Sequence, residues 1–218
     1  MRYGIIDNEI CKDLFEKING KSICDKCREN RKEFIERDKK DDHFSNMLLG
    51  FSSKEIKIPV DILIVGQDHG GREDLFRDQL GIDEEIDSFA KYYLRDSLVS
   101  FHQKEMRELF QYLDSKKKTW VFTDLIKCYV KNFPHNKQLA IDNCKTYLDN
   151  QIKVLRPRKI LALGQLVART YFKIKKRINH KEIINYNGSE LIRSIFPSAR
   201  TVDLWIRKGG WDSIIKNL

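Results

Sequence analysis

The stretch DILIVGQDHGG, residues 61–71, holds the first clue to the fold. Ile62 to Val65 form an unbroken aliphatic and β-branched run that stops at a glycine. A short continuous apolar run bounded by a turn signal reads as an interior strand, covered on both faces. The turn that follows carries Gly66, Gln67, Asp68, His69, Gly70 and Gly71. Gly and Asp are ordinary turn formers. The same residues also put a carboxylate, an imidazole and bare backbone in one place, which suits a small flat ligand or a reactive water.

Three further segments read as strands: TWVFTDL (119–125), KILALG (159–164) and LIRSIF (191–196), the last ending at Pro197. Helical patterns lie between and after them, in FAKYYLRDSL (89–98), HQKEMRELFQYLDS (102–115), NKQLAIDNCKTYLDNQIKVL (136–155), GQLVARTYFKIKKR (164–177) and GGWDSIIKNL (209–218). In the third, Leu139, Ile141, Cys144, Leu148, Ile152 and Leu155 recur at helical spacing. Strands alternating with helices predict an α/β fold, a mainly parallel sheet with helices on both faces. In such sheets ligands bind beyond the carboxyl ends of the strands. The Gly66–Gly71 turn, Asp124, Gly164 and the Pro197 turn all fall there.

The chain has 218 residues, 41% hydrophobic and 33% charged, which predicts one globular domain spanning 1–218. Residues 1–55 read as helical, opening with the amphipathic MRYGIIDNEICKDLFEKI. No apolar run approaches the roughly 18 residues of a membrane helix. The start lacks the pattern of a signal peptide. The expectation is a cytoplasmic protein with no membrane partner, and a monomer. Lys and Arg number 41 against 32 Asp and Glu, a net charge of +9. The cations cluster in KSICDKCRENRK, SKKK, RPRK and KIKKR. Such an excess favours a polyanion as partner, although lysine-rich solvated faces are common.

Of the five cysteines, Cys24 and Cys27 form a C-x2-C pair, and Cys128 and Cys144 follow in the second half of the chain. Buried thiols are one reading. The other is a metal site: C-x2-C brings two thiolates to one centre, and two more would close the shell around zinc or an iron–sulfur cluster. Cys11 is left over and reads as a packing residue.

These features together resemble the uracil-DNA glycosylase superfamily. Gly66-Gln67-Asp68 matches the opening motif of its best-studied branch. Gly66, Gly70, Glu73 and Asp74 match that of its iron–sulfur branch. DLIKCYVKNFPHNKQLAIDNCKTYLDNQIKVLRPRKILALGQLVA, residues 124–168, looks like the Lys-Cys segment of that second branch, its later Cys and its Leu-Gly strand ending. FPSAR (196–200) resembles a His-Pro-Ser-Ala turn. The resemblance implies a three-layer α/β/α sandwich with a mainly parallel four-stranded sheet. It implies an activity that removes a damaged or deaminated base from single- or double-stranded DNA, the base being flipped into a pocket at the strand ends. It places the ligands of a 4Fe–4S cluster, with zinc as the alternative, on Cys24, Cys27, Cys128 and Cys144.

Cleaving the glycosidic bond builds positive charge on the sugar and negative charge on the base. By the resemblance, Asp68 is the water-orienting carboxylate, and Gln67 offers backbone N–H to the base. Gly66 and Gly70 admit close approach, and Phe76 is a candidate for base stacking. Asp124 stands where the family usually has a base-reading Asn. A carboxylate accepts from N3–H but meets the O4 of uracil without a donor, so it suits a base with an exocyclic amine better. Phe196 stands in place of a His that donates to the departing base, and His69 is the candidate replacement. Ser198 and Arg200 are expected on DNA phosphate and groove. Three readings compete: a DNA glycosylase, a catalytically weak nucleic-acid-binding module on the same fold, and a nucleoside-acting or zinc-stabilised relative.

Overall fold

A computed structural model describes residues 51–53, 56–67, 100–126, 137–175, 183–198 and 200–218. Among the described residues six strands form one sheet: β1 (Phe51–Ser52), β2 (Ile62–Gly66), β3 (Trp120–Asp124), β4 (Lys159–Leu163), β5 (Ile183–Tyr186) and β6 (Ser189–Ser194), in the order β1-β3-β2-β4-β6-β5. β3, β2, β4 and β6 run parallel, as the alternation of elements predicts. The expected four-stranded sheet gains an antiparallel strand at each edge: β1 on β3, and β5 on β6. The β5–β6 hairpin turns on Asn187-Gly188, both at positive φ (50° and 85°). An Asn-Gly pair is the residue choice that a two-residue turn of this hand requires.

The interior strands are covered on both faces because their side chains alternate between two cores. Ile62, Ile64, Trp120, Phe122, Leu161, Leu163 and Ile192 face one core, filled by α1 (Phe101–Ser115), α3 (Val202–Arg207) and α4 (Asp212–Ile215). Leu63, Val65, Val121, Ile160, Ala162 and Leu191 face the other, packed by α2 (Lys137–Leu155) and a π-helical stretch, Val167–Tyr171. On α2, Ile141, Cys144, Leu148 and Leu155 are buried, the face that the spacing predicts.

The expected helix after β4 is shorter than its sequence pattern. Phe172 N donates to Val167 O and Ile174 N to Ala168 O, the wide closing bonds of a terminating turn, and Lys173 takes φ +58°. A left-handed residue at this position ends a helix. The expected helices at 1–18 and 89–98 lie outside the described residues. A short helix sequence reading missed, α3, precedes the expected C-terminal one.

α1 starts one residue before its pattern because Ser100 and Gln103 close a capping box: Ser100 N and Oγ both donate to Gln103 Oε1, at 3.1 and 2.5 Å. Its middle is tied to the C-terminal helices through Glu105, whose carboxylate accepts from Trp205 Nε1 at 2.8 Å and whose carbonyl accepts from Trp211 Nε1 at 2.6 Å. Phe110 stacks on Trp120 with ring centroids 4.5 Å apart.

Candidate functional site at the strand ends

β2 has β3 on one side and β4 on the other, and the next described elements after β2 and β4 lie on opposite faces: α1 on one, the π-helical stretch on the other. A parallel sheet opens a crevice at such a switch point, outside the carboxyl ends of the two strands. Here those ends are Gly66 and Gly164.

Gly66 pairs in register with Asp124, and the parallel pairing continues past both strands: Leu125 N donates to Gly66 O at 2.9 Å and Ile126 N to Gln67 O at 3.0 Å. The Asp124 carboxylate lies directly across the face of Gly66. A Cβ at position 66 would overlap Asp124 Oδ1 and stand 3.4 Å from Phe122 Cζ. Glycine is therefore required at 66 by contact, not by backbone torsion. Asp124 is 2% exposed, so a carboxylate is held in the wall of the crevice with most of its water removed. An ionised group in such a place interacts with a ligand far more strongly than on the surface.

On the other side of the crevice, Gly164 takes φ +90°, a conformation that favours glycine, and its N–H donates to Ser194 O at 2.7 Å. A Cβ at Gly164 would lie 3.6 Å from Phe196 Cβ, so the Phe196 turn closes over the end of β4. The turn is pinned by Thr201. Its Oγ1 donates to Phe196 O at 2.6 Å, accepts from Ser198 N at 3.0 Å, and lies 3.0 Å from Ser198 Oγ. Ser198 is thus half-buried and engaged within its own turn. Arg200 is exposed beyond it.

The imidazole of His102, on the first turn of α1, lies against Phe196 with ring centroids 6.1 Å apart. Sequence reading missed His102, because it sits inside a helical pattern with nothing local to single it out. It also missed Arg193, which is fully buried on β6.

The structure therefore brings Gly66, Gln67, Asp124, Gly164, Phe196, Ser198 and His102 to one edge of the sheet. Adjacent strands are about 4.8 Å apart, so the row from Asp124 to Phe196 spans three steps, about 14 Å, room for a base and its sugar. Asp68, His69, Gly70 and Phe76 lie outside the described residues, as do Cys24, Cys27 and Cys128. Cys144 is 4% exposed, in the same core as Leu125 and Ile126, which lead toward Cys128.

A cleft of about 550 Å³ opens at the opposite end of the sheet, lined among others by Asp149, Lys153, Arg156, Tyr171 and Tyr186. Tyr171 Oη donates to Asp149 Oδ1 at 2.5 Å. Burial first, then this bond, pushes the Tyr171 hydroxyl far above its ordinary range, and burial also raises Tyr186. Both phenols stay protonated, and Tyr171 donates to Asp149. The switch point lies at the other end of the strands, so size alone does not mark this cleft as the reactive one.

The sequence profile of the Uracil DNA glycosylase superfamily matches residues 53–205. A Type-5 uracil-DNA glycosylase from Pyrobaculum aerophilum is similar, at 31% identity, over 37% of this chain and 37% of its own length. The profile match runs from before β2 through α3 and takes in every described residue of the crevice; the chain belongs to the uracil DNA glycosylase superfamily.

Proposed function

We propose that this protein is a DNA glycosylase that hydrolyses the N-glycosidic bond of a deaminated or damaged base in DNA. The observation that carries the reading is the bare Gly66 backbone at the switch point, with the buried Asp124 carboxylate lying across it. The close approach that glycine allows is taken up by Asp124, whose carboxylate the Gly66 backbone seats at the strand ends, and a carboxylate held there accepts hydrogen bonds from the N–H groups of a base. In the reaction a water attacks C1′ of the sugar, the bond to the base nitrogen breaks, and its electron pair leaves with the base. Asp68 takes the proton of the attacking water, and the base leaves as an anion that takes up a proton from solvent after release. Asp124 is an acceptor only, so a base presenting N–H or exocyclic amine at that edge fits better than the mixed edge of uracil.

The test is a panel of single- and double-stranded oligonucleotides carrying uracil, hypoxanthine, xanthine or a mismatched base, with Asp68→Asn beside the wild type. The expected result is abasic sites made by the wild type and lost in the variant. Phe196, an apolar ring where a donor to the base is useful, favours a second reading, a module that binds lesions without cutting them. Retained binding with no cleavage of any oligonucleotide would establish that reading.

We further propose that Cys24, Cys27, Cys128 and Cys144 hold a 4Fe–4S cluster. A set of four thiolates fits such a cluster, and the burial of Cys144 beside the chain leading to Cys128 supports their convergence. When bound, the cluster would act as a structural crosslink between the N-terminal segment and α2. Iron and sulfide analysis of the purified protein, with the visible absorbance of a brown protein, separates it from colourless zinc.

A further inference from the structure

The cleft of about 550 Å³ at the amino ends of the strands has two fixed walls. One is the end of α2, where Asp149 and Lys153 share a face and Arg156 follows the last turn. The other is the Asn187-Gly188 turn of the β5–β6 hairpin. The hairpin is held to the chain leaving α2 by two bonds: Ser189 Oγ donates to Pro157 O at 2.6 Å, and Glu190 N to Arg158 O at 2.9 Å. The rings of Tyr171 and Tyr186 complete the lining.

The cations of the cleft differ from their neighbours. In the run Arg156-Pro157-Arg158-Lys159, Arg158 lies 3.6 Å from Asp61 and Lys159 lies 3.2 Å from Glu190. Among the described residues Lys153 and Arg156 have no carboxylate within ion-pair distance. Arg156 also takes φ +45°, just past the end of a helix, where glycine is the favoured residue. A cation there complements the helix dipole, but Lys153 in the last turn already does so without a left-handed backbone. Strain of this kind at an unpaired cation marks a place where a ligand is held. The carboxylate of Asp149 takes the Tyr171 hydroxyl on Oδ1 and keeps further acceptor capacity.

We infer that this cleft binds a nucleotide, free or as one unit of a strand, with its phosphate on Lys153 and Arg156 and its N–H or hydroxyl groups on Asp149. The volume suits a ligand of that size. A bare phosphate would leave the tyrosine rings and Asp149 without a role, whereas a nucleotide engages all of them. The site is separate from the crevice, because β4 with its five residues puts about 16 Å between the two ends of the sheet. The inference therefore does not rest on the glycosylase reading.

The test is calorimetric titration of the full chain with dAMP, dCMP, dGMP and dTMP, with the matching nucleosides and with inorganic phosphate. Lys153→Gln and Arg156→Gly are titrated beside the wild type. The best-bound nucleotide is expected to bind about tenfold or more tightly than its nucleoside or phosphate, and each variant to weaken it about tenfold or more, the worth of one charge-assisted hydrogen bond. Arg156→Gly is expected to melt no lower than the wild type, because glycine accepts the left-handed backbone at 156, so its loss of binding is not loss of fold. Acetylation of lysines by acetic anhydride, read by mass spectrometry, locates the site: the nucleotide should protect Lys153 in the wild type and not in Arg156→Gly. A single-stranded oligonucleotide that protects Lys153 at lower concentration than the nucleotide assigns the site to a strand, and protection by the nucleotide alone assigns it to a free one. Nucleoside bound as tightly as nucleotide, variants with unchanged affinity, or a Lys153 that neither nucleotide nor oligonucleotide protects would each overturn the inference.

Discussion

A methyl group added at Gly66 would enter the volume of Asp124 Oδ1, and Phe122 limits retreat on the other side. Gly66→Ala is therefore expected to destabilise the protein by about 1–3 kcal/mol, the usual cost of overpacking. The cost should fall well below that in an Asp124→Ala background, where the colliding oxygen is gone, a non-additivity that urea unfolding of the two single variants and the double variant will read. If the two substitutions add, the crowding is not the reason for glycine. This residue was legible in the sequence: a glycine ending an apolar run at the carboxyl end of a strand is a place where a ligand or another group comes close. Asp124 was legible in the same way, from its position at the end of β3. His102 was not. It reaches the strand ends through a ring contact with Phe196, far along the chain, and no local pattern encodes such a contact.

Among the elements, the starts of β2 and β3 are locked together by one aspartate. Asp61 Oδ2 accepts from Thr119 N at 2.9 Å and Thr119 Oγ1 at 3.0 Å, and Arg158 lies 3.6 Å from Oδ1. Burial is the largest influence on this carboxyl and pushes its pKa up. The hydrogen bonds from Thr119, with Lys118 and Arg158, together outweigh it and hold the group below its ordinary value of 3.8. A carboxyl with a depressed folded pKa contributes stability above its unfolded pKa and loses it as pH falls through the folded value. Asp61→Asn is thus expected to lower the melting temperature at neutral pH, with the gap to the wild type closing in acid below that ordinary value. A gap independent of pH would show that the charge is not what matters. The interior strands were readable because their apolar runs are continuous, and α1 and α2 because their buried positions recur at 3.6-residue spacing. The edge strands were not read. β1 is two residues long, too short for any pattern, and β5 alternates between exposed and half-buried positions. The Asn187-Gly188 turn was a signal present in the sequence and passed over. The short π-helical stretch escaped because its ending depends on Lys173 in a left-handed conformation, which Lys seldom adopts.

For the molecule as a whole, the net charge of +9 favours a polyanion as partner. Among the described residues Lys116, Lys117 and Lys118 lie at the amino end of β3, and Arg156, Arg158 and Lys159 at that of β4, away from the crevice. Among the described residues no helix is long and apolar enough to cross a membrane. If the basic groups bind backbone phosphates, oligonucleotide affinity should fall steeply with salt. Four phosphate contacts correspond to a loss of about 100-fold between about 50 and 200 mM monovalent salt. Titrations by fluorescence anisotropy at several salt concentrations will give the slope, and a flat response would argue against phosphate recognition. The parallel order β3-β2-β4-β6 carries one more consequence, for the time at which the protein comes alive. The crevice is walled by residues 66, 124, 164 and 196, and the wall at 196 is seated only when β6 pairs with β4. β6 is the last of the four parallel strands in the chain. During synthesis, then, a chain that already carries β2, β3 and β4 still has an open-sided crevice. It gains a complete one only after residues 189–201 have left the ribosome and docked.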